Sequence, residues 1–340
     1  MTVPTAPRRR TRRAAFAVLP FLLAGCGAEV VPEADAPAPV TVARCGEQVT
    51  YQRPQRAVVY EAGSADKLFS LGLTDAVRGY VMPPANPPVE ESPWAAEYAK
   101  VELLSTDLLN RELVVDAGAD FVVAGWRSGF SEQRGITPEI LDGLGIQSFM
   151  HTETCYNYPN YPERVSPFEA LYTDLQRLGR IFGVEERANG YVDELRARVA
   201  AIQAQAPRLD PPPSVFLYDS GTDRPFTAAN QVPPNEIIQF AGGRNIFADL
   251  DGRWTDVGWE SVVQAQPEII MILDYQDQPA EEKIAFLKSL PALQAVPAVR
   301  EDRFHILDYN EAISGPRIVD GAEGFAEYLR SYAETRSAPR

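Results

Sequence analysis

Apolar and polar positions along this chain fall into two kinds of run that alternate for most of its length. Short apolar runs such as Ala57–Tyr60 (AVVY) and Asp120–Ala124 (DFVVA) have the character of strands buried on both faces of a parallel sheet. Val77–Val81, Ile146–Phe149, Val215–Tyr218, Glu268–Leu273 and Phe304–Leu307 repeat the pattern. Between them, Ser64–Leu73, Arg111–Ala117, Thr137–Leu144, Asn235–Ala241, Trp259–Gln264, Glu281–Ser289 and Val319–Arg330 carry helical spacing. Gly46–Arg53 alternates like a hairpin or edge strand, and Pro83–Pro93 reads as an irregular loop leading to Trp94. Strand followed by helix, repeated, predicts an α/β fold with parallel sheets.

One region breaks the alternation. Pro167–Phe182 and Glu185–Gln205 hold apolar residues at helical spacing, with no strand between them, until Asp210-Pro-Pro-Pro213 closes the stretch. The pattern therefore predicts an α/β lobe, a long helix and a second α/β lobe. The boundaries are 45–184 for the N-terminal α/β lobe, 185–206 for the linking helix and 207–335 for the C-terminal α/β lobe. At 1.5 Å per residue the linker is about 30 Å long, and its proline-free interior resists bending.

The first residues follow another logic. Arg8, Arg9, Arg10, Arg12 and Arg13 precede an apolar run, Ala14–Ala24, that is too short to span a bilayer as a helix. A basic head, a short apolar core and small residues describe a signal peptide over 1–25. Leu23-Ala24-Gly25-Cys26 resembles the lipobox of bacterial lipoproteins, which implies that Cys26 is acylated and becomes the new N-terminus. Residues 26–44, rich in Ala, Pro and Glu, form its flexible tether. The protein is expected to work outside the cytoplasmic membrane, in the periplasm or at the cell surface, held by lipid. Removing Cys26 for the lipid leaves Cys45 and Cys155, an even pair in a compartment where disulfides persist. A bridge between them would be worth up to about 4–5 kcal/mol by loop entropy. The whole chain carries −15; without the first 25 residues, which hold five arginines and no acid, it carries −20. Such a chain repels nucleic acid.

Little of the remaining chemistry points to catalysis or to a bare metal. The two histidines, His151 and His305, are far apart, whereas a naked transition metal needs several converging ligands. No resident metal or cofactor is expected. Asp219-Ser220-Gly221-Thr222 looks like half of an aspartic-protease motif without its second half. A surface hydrolase would have to pair Ser220 or Ser131 with His305, and the chain is expected not to be an enzyme. Trp126-Arg127 directly follows a buried strand, so both should face the gap between lobes, since ligands of α/β sheets bind at the strands' carboxyl ends.

Several segments together resemble one family. They are Leu71-Gly72-Leu73, Arg111-Glu112-Leu113 leading into Ala119–Val123, and Ala241-Gly242-Gly243-Arg244-Asn245-Ile246-Phe247. Trp254–Glu260, Pro267–Ile272 and Ser314-Gly-Pro-Arg317 complete the set. In this order and spacing they resemble the helical-backbone (class III) periplasmic substrate-binding proteins of ABC importers, of iron–siderophore, vitamin B12 and haem type. Two motifs depart from the family: Gly118-Ala119-Asp120 stands for Lys-Pro-Asp, and Pro267-Glu268 for Pro-Asp.

The resemblance implies two Rossmann-like lobes joined by a single long rigid helix with a ligand cleft between them, and a monomeric receptor that captures a bulky metal chelate and delivers it to the transmembrane permease. An iron–siderophore complex is the first expectation, with a corrinoid or haem as alternatives. Matching vitamin B12-binding members places Tyr80, Phe226, Trp254 and Arg317 at the ligand, beside Trp126 and Arg127. It also implies that Glu112 and Glu260, one exposed acid per lobe, dock arginines of the two permease subunits. Both are expected in helix-start segments away from the carboxyl-end cleft.

Overall fold

The computed structural model describes Thr2 and residues 37–157, 164–275 and 277–337. Apart from Thr2, the expected signal peptide lies outside the described residues, as does the acylated Cys26. The compact body begins at Ala38. It opens with an antiparallel hairpin of β1 (Val40–Arg44) and β2 (Glu47–Tyr51), so residues 40–44, expected in the tether, are a strand. Val42 and Arg44 alternate inward, which the Ala/Pro-rich composition just before them masks.

The first parallel sheet holds β3 (Ala57–Tyr60), β4 (Val77–Val81), β5 (Glu102–Ser105), β6 (Phe121–Ala124) and β7 (Gln147–Met150). Its order is β5-β4-β3-β6-β7. Helices α1 (Glu61–Ser70), α2 (Ala95–Tyr98), α3 (Arg111–Asp116) and α4 (Pro138–Gly143) connect these strands. After α5 (Pro167–Phe182) and α6 (Glu185–Gln205) comes a second sheet. It contains β8 (Ser214–Tyr218), β10 (Arg244–Asn245), β12 (Ile269–Asp274) and β13 (Phe304–Asp308), all parallel, in the order β10-β8-β12-β13. β9 (Phe226–Ala228) and β11 (Trp254–Asp256) pair antiparallel as a separate two-stranded sheet. Its helices are α7 (Pro233–Phe240), α8 (Trp259–Ala265), α9 (Ala280–Ser289), α10 (Pro297–Arg300), α11 (Tyr309–Ala312) and α12 (Ile318–Ser337). Both sheets are doubly wound, and each reverses strand order once: between β3 and β6, and between β8 and β12.

Two antiparallel helices, rather than one, connect the lobes. At its start α5 touches the second lobe, where Glu236 of α7 accepts from Phe168 N (2.9 Å) and Phe168 meets Phe240. At its end it touches the first, through Arg180 to Thr41 O and Phe182 against Phe121. α6 runs back: Arg187 donates to Leu71 O, and Arg198 pairs with Asp320 and Glu323 of α12. One apolar core passes continuously from Val59 through Leu178, Val192 and Ile238 to Val215 and Leu329. Cys45 and Cys155 are bonded, with Cα atoms 5.1 Å apart, tying the first hairpin to the turn after β7.

A buried polar knot joins these parts. Lys67 of α1 donates to Asp174 of α5 (2.7 Å) and to Ser314 of the second lobe (3.1 Å), and neither charged side chain is exposed. Asp174 also accepts from Thr152 N. The backbones meet here because Gly63 and Gly315 lack side chains: a Cβ on Gly63 would lie 2.6 Å from Ser314 O, and one on Gly315 2.8 Å from Gly63 Cα. Removing one member of such a pair strands the other's charge in the core. Lys67→Met should therefore lower unfolding free energy by about 3–5 kcal/mol in urea titrations. Asp174→Asn added to it should recover part of the loss, because it removes the stranded charge and keeps the Thr152 acceptor.

Asp66, the neighbour of Lys67, is buried, and burial pushes its carboxyl up to about 7 although Tyr98 Oη donates to it (2.9 Å). A carboxyl raised in the native state contributes stability that is complete below its unfolded value, near 4, and is lost as pH rises toward 7. Glu61 and Glu311, also raised by burial to about 7, act in the same direction. His305, lowered by burial to about 4, opposes them between about pH 4 and 6.5. Asp66→Asn should match the unmodified protein near pH 4 and exceed its stability by about 2–4 kcal/mol at pH 8, measured by urea unfolding at both pH values.

Candidate functional site

Chain reversal in a parallel sheet leaves a crevice at the carboxyl ends of the two strands that flank it. The two reversals of this molecule face one another across a cavity of about 670 Å³. From the first lobe come Glu61 after β3, Gly125-Trp126-Arg127-Ser128 after β6, and His151, Glu153 and Thr154 after β7. From the second come Asp219 after β8, Tyr275 after β12, Tyr309 after β13, and Phe226, Arg253 and Trp254 around the β9/β11 pair.

The turn after β6 is built by backbone bonds. Arg127 N donates to Phe130 O and Phe130 N to Gly125 O (2.8 Å each), while Trp126 N donates to Thr154 Oγ1 (2.9 Å). Arg134 ties the turn down through Ser128 O (2.5 Å) and Gly129 O (2.8 Å). Arg127 has φ +75° and Glu61 φ +63°. Left-handed backbone at a residue with a side chain costs of order 1–3 kcal/mol and persists only where surrounding bonds enforce it. Both strained residues border the cavity.

Opposite them, Phe226 and Trp254 stack at 6.1 Å, and Tyr275 and Tyr309 lie 5.0 Å apart. Tyr275 donates to Asp219 Oδ2 and Ser220 to Asp219 Oδ1, both at 2.6 Å. Burial raises the Asp219 carboxyl above its ordinary range. Two contacts cross from lobe to lobe at the cavity: Tyr309 Oη donates to Glu61 Oε1 (3.1 Å), and Arg253 donates to Glu153 O (2.7 Å) while forming an ion pair with Glu153 Oε1. Four carboxyl side chains (Glu61, Glu153, Asp219, Asp251) thus border the cavity against two guanidinium groups. Two of the four acids are already paired, Glu153 with Arg253 and Asp251 with Arg164.

The structure brings together four of the six expected ligand residues, Trp126, Arg127, Phe226 and Trp254. The other two need correction. Tyr80 is buried in the first lobe, edge-on to Tyr98 at 5.1 Å, because its side chain points to the core face of β4. Arg317 is buried and bonded to Asp308 (3.2 Å), off the cavity. Glu61, Glu153, Asp219, Arg253 and Tyr275 were missed as site residues, although each stands at a strand's carboxyl end or beside one. His151 faces inward, its Nε2 2.9 Å from Ser64 Oγ, and burial holds it well below its usual range. His305 packs between Phe325 and Tyr328 of α12, and its contacts there do not include Ser220 or Ser131, the partners a hydrolase would need. Among the described residues no three His, Cys, Asp or Glu side chains converge as a metal site.

Glu112 and Glu260 are exposed in the first turns of α3 and α8. The Glu112 carboxyl is held below its usual range by its own backbone N–H and by Arg111. Their expected placement away from the cleft edge is corrected. Helices in such units run antiparallel to the strands, so helix starts share an edge with the strands' carboxyl ends. Arg134, which holds the turn after β6, also donates to Leu109 O just before α3 (3.3 Å), and Trp259 Nε1 reaches Thr222 O in the loop after β8 (2.9 Å). Both acids therefore flank the cleft edge while staying outside the cavity lining.

Comparison with known proteins agrees with this architecture. The model of the periplasmic binding protein family matches residues 58–310. A vitamin B12-binding protein of Photorhabdus laumondii is 28% identical over 286 residues, 82% of this chain and 89% of that protein. An uncharacterized ABC transporter substrate-binding lipoprotein of Bacillus subtilis is 25% identical over 329 residues, covering 93% and 95%. The crystal structure of a periplasmic binding protein from Veillonella parvula superposes with TM-score 0.73 at 26% identity, covering 86% of this chain and 98% of that one. Family, two-lobed α/β fold and facing strand ends agree: this chain belongs to the class III periplasmic binding proteins, extracytoplasmic receptors that bind a substrate and deliver it to an ABC importer.

Proposed function

We propose that this receptor, anchored by lipid at Cys26, captures a bulky metal chelate that is not anionic and carries hydrogen-bond donors, and that a corrinoid fits best. The cavity wall carries the reading: Glu153 is paired with Arg253 and Asp251 with Arg164, which leaves the carboxyls of Glu61 and Asp219 beside Arg127, acceptors that suit a neutral ligand bearing donors better than an anion. Ferric catecholates and haem, with its propionates, are anionic, whereas a corrin ring is surrounded by neutral amides whose N–H groups suit carboxyl acceptors. The stacked Phe226–Trp254 pair and Trp126 offer apolar faces to a macrocycle. The vitamin B12-binding relative and the lipoprotein relative support the ligand and the anchor respectively. A ferric siderophore, the first expectation from sequence, is the second reading. It is favoured by Arg127, a donor for an oxygen-rich ligand on the cavity, but weakened because Arg317 is turned away.

Trp126 and Trp254 border the cavity, so ligand binding should quench their fluorescence. Titration with cyanocobalamin, a ferric trihydroxamate, a ferric catecholate and haem should give quenching by cyanocobalamin at micromolar or tighter affinity. Quenching by a ferric siderophore, with none by cyanocobalamin, would reverse the assignment.

Glu112 and Glu260 are proposed to dock the two lobes onto arginines of paired permease subunits. Lysine at both positions sets like charges together, a juxtaposition costing several kcal/mol. Glu112→Lys with Glu260→Lys should abolish uptake in cells while the purified protein still binds ligand, because neither residue lines the cavity. Loss of ligand binding, or unchanged uptake, would remove the docking role.

A further inference from the structure

One carboxyl on the cavity is positioned at a cost that its structural contacts do not explain. Glu61 is the first residue beyond β3, at the reversal point of the first sheet, and it opens α1 with a left-handed backbone, φ +63°. No glycine stands there, although one would adopt that conformation freely. The strain places a carboxyl on the cavity, directly under the facing lobe. One of its oxygens, Oε1, accepts from Tyr309 across the cleft (3.1 Å). The other, Oε2, has no hydrogen-bond partner among the described residues, and it is absent from the side-chain atoms that are both sealed from solvent and unpaired. It is therefore open to whatever occupies the cavity.

We infer that Glu61 is a specificity-determining contact, whose second oxygen accepts a hydrogen bond from an N–H or O–H donor on the ligand and whose carboxyl gives up its proton as that bond forms. The inference rests on the proposed function, a donor-bearing chelate in this cleft. The groups facing Glu61 are Tyr60 from its own strand, Tyr309 from α11, Tyr275 after β12 and, at longer range, Arg134 after β6. Tyrosines remain neutral here, since burial and nearby acids raise them further. Arg134 is the one permanent charge among these groups, and its guanidinium is occupied by four carbonyl groups. Burial dominates and raises the Glu61 carboxyl to about 7, so near neutral pH the empty site holds a mixture of acid and carboxylate. A ligand bringing a donor favours the carboxylate. Its binding then releases a proton at low pH and none at high pH, so affinity grows with pH across 7. A ligand without donors gains nothing from that ionisation.

The test uses two corrinoids that differ in donors. Cyanocobalamin carries primary amides, and dicyanocobyrinic acid heptamethyl ester carries esters in their place. Fluorescence titrations at pH 6 and pH 8 should show the unmodified protein binding cyanocobalamin up to about tenfold more tightly at pH 8. The ester should show no such gain. Glu61→Gln, of the same shape and without a proton to lose, should bind cyanocobalamin with equal affinity at both pH values. Tyr309→Phe removes the bond that favours the carboxylate, and should move the midpoint of the pH dependence upward without abolishing it. A Glu61→Gln protein that keeps the pH dependence overturns the inference, and so does an ester that gains affinity as cyanocobalamin does. If the unmodified protein binds neither corrinoid, the corrinoid reading falls and this inference falls with it.

Discussion

The position of the lobes depends on the Lys67–Asp174–Ser314 knot. A fully buried ion pair has no solvent to relax into, so its geometry is fixed or its cost is large. Here the lysine belongs to the first lobe's α1, the aspartate to the connecting helix α5, and the hydroxyl to the second lobe's loop before α12. Three separate parts of the chain thus meet around one ammonium group. Gly63 and Gly315 let the backbones approach at that point, and a methyl group at either would force them apart. The cavity begins immediately beyond, since Gly63 and Ser314 also border it. Rigidity and ligand site are two sides of one contact.

Doubled connections extend that rigidity. A single helix could tilt about its ends, whereas α5 and α6 run antiparallel, are cross-linked by Glu169–Arg196 and by Gln176–Asn189, and share one core with both sheets. With the lobes held so, the two chain reversals stay opposed, and the residues that follow the flanking strands must converge. Topology alone explains why Glu61 and Trp126 from one sheet meet Asp219 and Tyr275 from the other.

Much of this was legible in the residue pattern because buried parallel strands and amphipathic helices leave strong periodic signals. AVVY, DFVVA and the helices around residues 167–205 fall where the pattern placed them, within a residue or two. The weaker elements were missed for physical reasons. β5 is an edge strand with a mixed sequence, ELLS, half-buried or exposed throughout, and β9, β10 and β11 have two or three residues each. Only α6 was read as the linker, and α5 was assigned to the first lobe, because periodicity does not tell which lobe a helix end will touch. At the site, aromatic residues stood out by size, while Glu61, Glu153 and Asp219 are ordinary in type and informative only by position. Tyr80 and Arg317 were implied by the resemblance to vitamin B12-binding members, and a resemblance does not report which way a side chain points. Arg317 also had Asp308 within reach, a partner visible only in three dimensions.

The same limit separates the siderophore expected from sequence from the corrinoid proposed for the folded cavity. From sequence, arginines count as donors to an oxygen-rich ligand, and acids near them go unnoticed. In the folded chain Arg317 faces Asp308, Arg253 faces Glu153, and Arg134 is closed on backbone carbonyls, so most of the apparent positive charge is satisfied within the protein. What the cavity offers outward is then set by the groups left over: Arg127, aromatic faces and carboxyl oxygens. Two of the residues that set this chemistry, Glu61 and Arg127, sit on strained backbone at facing parts of the same lobe. Strain of that kind survives in a fold held as firmly as this one, because the knot beneath the cavity and the bonds of the β6 turn leave the backbone no lower-energy alternative.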